Sequence, residues 1–233
     1  MQYSTFAAID IGSYDVILEI FEISKKQGIR SVDKICHRME LGKDTYTLGK
    51  IRPEMEEELC RVLADFVRIM EGYRVDDYRA TASSAISEAS NSLYVLGKIH
   101  QLTGLSVTVL SNSEQRFLSY KALAAMEDNF NKIIEKGTAI LDLDGGSFQI
   151  SLFDKDALVT TQNIRMGSLR IRERLAGIQS ETEHYEEMVE ELIWNEVSSF
   201  KKMYLKDRKI ENIMLIGDVF TDSVYQNLSL IHI

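Results

Sequence analysis

Two stretches of the chain, residues 9–17 (IDIGSYDVI) and 141–150 (LDLDGGSFQI), repeat one pattern. Each has an apolar run with one acid near its end, a turn of small or polar residues and a second apolar run, which is typical of a β-hairpin. The two copies open the two halves of the chain, so the repeat predicts two similar domains. We expect Asp10 and Asp142 to lie at equivalent positions and to meet across a cleft between these domains.

The sequence around the hairpins alternates between strand and helix patterns, which predicts an α/β fold. The single proline, Pro53, suits the first turn of a helix, where its missing N–H has no partner to lose. Further strands are expected at 30–39, 78–82, 106–110, 158–164 and 213–216. Further helices are expected at 87–101, 112–136, 168–175 and 183–206.

Composition excludes several classes of protein. The 233 residues are 45% hydrophobic, which is enough to form a core. Their net charge of −9 has the wrong sign for binding duplex nucleic acid. No apolar run is long enough to span a membrane. Cys36 and Cys60 lie far apart with no metal-ligand spacing, which favours a reducing compartment, and we expect a cytoplasmic protein.

The two hairpin turns have the chemistry of a phosphate site. Turns rich in glycine and serine expose backbone N–H groups to phosphate oxygens, and a carboxylate beside such a turn can hold Mg²⁺. For one hairpin alone, a simpler interpretation is that the acid caps its turn through an Asx-type hydrogen bond. The duplication favours a phosphate clamp over simple capping.

Five segments occur in an order that is similar to one known family: residues 8–13 (AIDIGS), 82–91 (ASSAISEASN), 110–115 (LSNSEQ), 142–149 (DLDGGSFQ) and 166–173 (MGSLRIRE). They resemble the N-terminal half of the exopolyphosphatase/guanosine pentaphosphate phosphohydrolase (Ppx/GppA) family. That family belongs to the actin-like, sugar-kinase and Hsp70 ATPase superfamily. The resemblance implies two ribonuclease H-like α/β domains, a first at 1–121 and an incomplete second at 122–233.

The resemblance also implies site residues. Mg²⁺ would be held near Asp10 and Asp142, and phosphate would be bound by loop residues, namely Gly12, Ser13, Asp144, Gly145, Gly146 and Ser147. Glu114 matches a family glutamate. Where the family has a catalytic base, an arginine and a second-loop glutamate, this chain has Gln115, Ser87 and Gln149.

These replacements leave several functions open, because an amide such as Gln115 cannot take up a proton at neutral pH. One is Mg²⁺-assisted hydrolysis of polyphosphate or guanosine pentaphosphate, with Asp144 or Asp15 replacing a missing glutamate. Another is a non-catalytic domain that senses polyphosphate or a guanosine penta- or tetraphosphate. The third is an ATP-dependent kinase or structural ATPase. The resemblance further implies a bacterial protein that forms a homodimer at full length.

The end of the chain carries a separate expectation. Residues 228–233 (LSLIHI) are what the transposon end used in sequencing libraries would encode. We therefore expect a gene fragment whose last six residues contact nothing and whose second domain lacks covering helices.

Overall fold

The structure is a computed structural model that describes residues 3–127, 129–176, 184–206 and 208–217, together with the backbone of 231–232. The chain divides into two compact units, Met1–Ser111 and Asn112–Ile233. This division falls earlier than the domain boundary expected after residue 121.

The first unit is a five-stranded sheet with helices. Its strands are β1 (Ser4–Ile11), β2 (Asp15–Ser24), β3 (Gly28–Arg38), β4 (Asp77–Ala82) and β5 (Val107–Val109). Its helices are α1 (Leu41–Leu48), α2 (Pro53–Tyr73), α3 (Ser84–Ser87) and α4 (Ser92–Thr103). The sheet order is β3-β2-β1-β4-β5, with β1–β3 antiparallel and β4 and β5 parallel to β1.

The second unit begins with α5 (Asn112–Met126) and α6 (Phe130–Ile134). Three strands follow, β6 (Thr138–Leu143), β7 (Phe148–Asp154) and β8 (Ala157–Ile164), then α7 (Ser168–Leu175) and α8 (Tyr185–Tyr204). Strand β9 (Asn212–Ile216) and the two-residue β10 (Ile231–His232) complete a sheet of order β10-β9-β6-β7-β8.

The repeat seen in the sequence is confirmed as a repeat of topology. In each unit an antiparallel hairpin opens the sheet, a third strand continues it on one side, and a parallel strand pairs with the first strand on the other side. Asp10 pairs with Ile17 and Asp142 with Gln149, each at the next-to-last position of its strand. The two acids therefore occupy equivalent positions within their own units.

The first unit has the larger core, to which its hairpin strands contribute one face: the buried residues alternate along β1 and β2, and they are Ala7, Ile9, Ile11, Val16, Leu18 and Ile20. Helix α2 contributes an apolar stripe to this core: Leu59, Val62 and Phe66 are buried, while Met55 and Ile69 are partly buried against them. In the second unit every residue from Phe148 to Phe153 on β7 is buried. These cores hold the hairpin turns in place.

Two helix predictions need correction, and one helix was not predicted. The helix expected at 87–101 is two helices, because Asn91 exchanges side-chain hydrogen bonds with both backbone groups of Ile51 and so stabilises the break. The helix expected at 112–136 is also two, and its second part packs Phe130 edge-on against Phe153 of β7. Helix α1 was not predicted; it follows Glu40, which adopts a left-handed backbone conformation at φ 53°.

Among the described residues, no helix is long and apolar enough to cross a membrane. The expectation that residues 228–233 contact nothing is wrong for Ile231 and His232, whose backbone pairs antiparallel with β9. The remainder of that segment, 228–230 and 233, lies outside the described residues.

Candidate functional site

The turn between β6 and β7, residues 144–147, is the centre of the candidate site; we call it the second loop. Its first residue, Asp144, donates its N–H to the Ser147 carbonyl at 3.1 Å, which closes the turn. Oδ1 of Asp144 also accepts hydrogen bonds from the backbone N–H groups of Gly146 at 2.7 Å and Ser147 at 2.5 Å. The carboxylate thus lies on the N–H groups that the sequence assigns to phosphate.

Helix α7 is attached to the outer side of this loop by its first turn. The N–H of Ser168 donates to the carbonyl of Asp144, and the N–H groups of Leu169 and Arg170 both donate to the carbonyl of Gly145. The Arg170 Nε adds a hydrogen bond to the carbonyl of Gly146 at 2.9 Å. The carbonyl groups of Asp144, Gly145 and Gly146 are therefore held by the start of α7.

Two glycines allow this close packing. A Cβ on Gly167 would lie 2.4 Å from both the Gly145 carbonyl carbon and the Ser147 nitrogen. A Cβ on Gly217, whose φ is +125°, would lie 1.9 Å from the Leu143 carbonyl oxygen at the end of β6. Side chains at either position would force the loop to move, since real Cβ atoms do not approach backbone so closely.

The second loop borders a small polar pocket within the second unit, with a cavity volume of about 10 Å³. The pocket brings together the start of α5, both hairpin strands and β8. Its lining residues are Asn112, Gln115, Arg116, Asp142, Asp144, Ser147, Gln149 and Asn163. Five of the predicted site residues, Gln115, Asp142, Asp144, Ser147 and Gln149, thus meet at one place.

Two carboxylates dominate the electrostatics of this pocket. Burial, and then the charge of Asp144, raise the pKa of Asp142 from 3.8 to about 6, against a weaker opposing hydrogen bond from the Ser119 hydroxyl. Burial also raises the pKa of Asp144, although the N–H groups of Ser147 and Gly146 and the Arg170 guanidinium act in the opposite direction. The pocket therefore disfavours negative charge on both acids.

Three pocket residues were not predicted from the sequence, Asn112, Arg116 and Asn163, and Arg116 is the charged one among them. Its guanidinium donates to the Thr161 hydroxyl at 3.2 Å and to the Ser113 hydroxyl at 3.0 Å, which directs the cation along the pocket wall. Its position next to Gln115 was the only available signal, and contact with Thr161, on a distant strand, could not be seen in the sequence. Glu114 is exposed and is not part of the pocket lining, so its catalytic role stays a prediction.

The first unit has an equivalent turn, residues 12–15, which we call the first loop. The N–H of Gly12 donates to the Asp15 carbonyl at 3.0 Å, matching the closure of the second loop. Ser13 is buried, and its hydroxyl lies 2.6 Å from the Tyr46 hydroxyl and 3.2 Å from the Ser84 hydroxyl. The Tyr46 and Ser84 hydroxyls are themselves 2.8 Å apart, so the three oxygens form a closed triangle.

The other predicted residues of the first unit are exposed. The Thr81 hydroxyl donates to Oδ1 of Asp10 at 3.4 Å, beside the first loop. Ser87 is exposed at the end of α3, whose first residue is Ser84 of the hydroxyl triangle. The expectation that the first and second loops face each other stays a prediction.

The pocket residues suit Mg²⁺ better than a metal whose ligands must all come from the protein. Asp142 and Asp144 are two carboxylates that repel each other in one pocket, and a divalent cation would relieve that repulsion. The described residues contain no group of three or more histidine, cysteine, aspartate or glutamate side chains able to hold a metal. Mg²⁺ is commonly bound by one or two carboxylates, with waters and substrate phosphates as its other ligands.

Comparisons with known proteins agree with this architecture. The chain is 22% identical over 174 residues to a bifunctional 3-dehydroquinate synthase/phosphatase of Fusobacterium nucleatum, covering 72% of this chain and 26% of that protein. It is 25% identical over 144 residues to exopolyphosphatase 1 of Mycobacterium leprae, covering 61% of this chain and 41% of that protein. The chain thus spans well under half the length of these curated relatives.

Solved structures confirm the fold. The crystal structure of the Aquifex aeolicus member of the Ppx/GppA family matches with a TM-score of 0.69 and 23% identity, covering 94% of this chain and 68% of that chain. The fold is therefore the two-sheet α/β fold that the family resemblance implied. The Ppx/GppA phosphatase family matches residues 19–232, which include the second loop, the pocket and α7, and the chain belongs to that family.

Proposed function

We propose that this chain binds a phosphoanhydride, inorganic polyphosphate or guanosine pentaphosphate, together with Mg²⁺ and hydrolyses its terminal phosphate. The observation that supports this most is the convergence of Gln115, Asp142 and the second loop on one polar pocket. These residues come from two of the five family-like segments. Membership of a phosphatase family supplies the reaction class.

Binding needs positive charge and hydrogen-bond donors, and both are available in the second unit. Arg116 offers a planar guanidinium, whose geometry suits phosphate oxygens. The Ser147 hydroxyl adds a neutral donor beside it. Asp142 would hold Mg²⁺ directly or through water, and the ion would neutralise charge on the phosphate oxygens.

Hydrolysis also needs a group that takes the proton of the attacking water while the bond from phosphorus to the leaving phosphate breaks. The amide of Gln115 cannot accept that proton. Oδ1 of Asp144 already accepts two backbone hydrogen bonds, so this oxygen is occupied and is poorly placed to take up the proton. General-base catalysis contributes roughly 10²–10⁴-fold to rates, and we therefore propose a slow hydrolase.

A second candidate function is phosphoanhydride binding without hydrolysis, as in a sensing domain. The specific observation in its favour is that Gln115 and Gln149, both amides, line the pocket where family members carry carboxylates. Both functions share the same ligand and the same pocket. They differ in whether phosphate is released.

Phosphate release and calorimetric binding, measured together, test the proposal. The ligands are polyphosphate, guanosine pentaphosphate and ATP, each with and without Mg²⁺, and the matched variants are Asp142→Asn and the exposed Asp156→Asn. We expect Mg²⁺-dependent binding that Asp142→Asn weakens and Asp156→Asn leaves unchanged. Binding without phosphate release would favour the sensing function, and no binding of any of the three ligands would contradict both candidates.

A further inference from the structure

The carboxylate of Asp144 already occupies the anion-binding side of the second loop. Consecutive backbone N–H groups in a turn form a concave site for an anion such as phosphate. Here Oδ1 of Asp144 accepts from the N–H groups of both Gly146 and Ser147, and its Oδ2 lies 3.4 Å from the Ser147 hydroxyl. One side chain therefore uses three donors of the loop.

The first loop shows that this arrangement is not required by the turn itself. Gly12 occupies the position equivalent to Asp144, because each residue closes its turn through the same N–H to carbonyl hydrogen bond. Glycine has no side chain to place on the loop donors. The backbone at Asp144 has no positive φ, so either residue type is compatible with the turn.

The loop cannot easily present its donors elsewhere. Its carbonyls are held by the first turn of α7 and by the Arg170 side chain. The tight approach of Gly167 leaves no room for the loop to shift toward that helix. A phosphate group can reach the Gly146 and Ser147 N–H groups only if the Asp144 side chain rotates away.

We propose that Asp144 is an internal competitor for phosphate, and that it sets the phosphoanhydride affinity of the second loop by occupying the Gly146 and Ser147 N–H groups. This inference rests on the proposed function, because it assumes that the loop is a phosphate site. Two effects act together: the carboxylate takes up the donors, and its negative charge repels an incoming anion. Removal of the side chain opens the loop and removes the charge.

Calorimetric titration with tripolyphosphate in excess Mg²⁺ tests the inference on the intact chain. We expect Asp144→Gly to bind at least about tenfold more tightly than the unaltered chain, a change of about 1.4 kcal/mol. Asp144→Asn is expected to bind with intermediate affinity, because its amide oxygen still accepts from the loop but carries no charge. Asp156→Gly, in the exposed turn between β7 and β8, makes the same charge change and should bind like the unaltered chain.

Circular dichroism and thermal unfolding establish that each variant is folded before titration. Equal affinity of the unaltered chain and Asp144→Gly would overturn the inference while leaving the proposed function intact. If Asp144→Asn bound as tightly as Asp144→Gly, negative charge alone would explain the low affinity. That result would overturn the inference that the carboxylate acts by occupying the loop N–H groups. If no folded variant bound tripolyphosphate, the inference and phosphate binding by this loop would both fail.

Discussion

Asp142 lies directly opposite Gln149 in the antiparallel register of β6 and β7, and both side chains line the polar pocket. Gln149 is buried, with 7% of its surface exposed. An amide at this position adds no charge next to Asp142. A glutamate there would place a further carboxylate beside two that already repel each other.

Replacing Asp142 by asparagine should stabilise the protein at neutral pH. The folded-state pKa of Asp142, about 6, lies above its ordinary value of 3.8, so between these values the native state binds more protons than the unfolded state. The free energy of unfolding therefore falls as pH rises through this window. At about pH 7.5 without Mg²⁺, we expect Asp142→Asn to gain on the order of 1–3 kcal/mol in urea unfolding.

The control for this prediction is Asp156→Asn at an exposed turn residue. The gain of Asp142→Asn should shrink toward acid pH, because aspartate is then neutral in both states. A difference between variant and unaltered chain that stays constant from acid to neutral pH would contradict the elevated pKa.

Replacing Gly167 by alanine should disrupt the contact between α7 and the second loop. The new Cβ would meet backbone atoms at 2.4 Å, and relief requires movement of one of the two segments. Overpacking of this kind costs about 1–3 kcal/mol. Gly97→Ala is the matched control, since its Cβ would meet nothing within 4 Å and alanine favours the helix. Chemical denaturation measures both variants, and equal stabilities would show that α7 adjusts without strain.

Restoring the family's residues should raise the rate of phosphate release. We expect the combined variant Ser87→Arg, Gln115→Glu and Gln149→Glu to gain roughly 10²-fold or more in Mg²⁺, because groups that act together in catalysis restore activity together. Gln101→Glu, on an exposed position of α4, controls for added negative charge. Rapid hydrolysis by the unaltered chain that Gln115→Ala does not change would indicate a different proton acceptor.

Replacing Tyr46 by phenylalanine should loosen the first loop. The variant removes the hydroxyl that lies 2.6 Å from Ser13 and 2.8 Å from Ser84, and loss of a partly buried hydrogen bond costs about 1 kcal/mol. Tyr94→Phe is the control, because Tyr94 is 64% exposed on α4. Thermal unfolding compares the two, and a Tyr46→Phe variant as stable as its control would mean that Ser13 is held by Ser84 alone.

Much of the fold could be predicted from local patterns in the sequence. The helix at Ser168–Leu175 has the predicted bounds, and the hairpins, β3 and β4 agree closely with the prediction. These elements carry their signals within a few residues: alternating apolar side chains, a turn of small residues, or Pro53 at a helix start. Breaks such as the one at Asn91 were missed because their partner, Ile51, lies far away in sequence.

The sequence by itself determined the fold class, the duplicated hairpin and the equivalent strand positions of Asp10 and Asp142, since strand register and turn length are local properties. Only the tertiary structure decided that Arg116 joins the pocket, that Tyr46 and Ser84 surround Ser13, and that the Asp144 carboxylate lies on the donors of its own loop. It also decided the pKa of Asp142, which depends on burial and on a neighbouring charge. Hydrogen bonding and desolvation act between atoms that folding brings together, so residue types and spacing alone do not specify them.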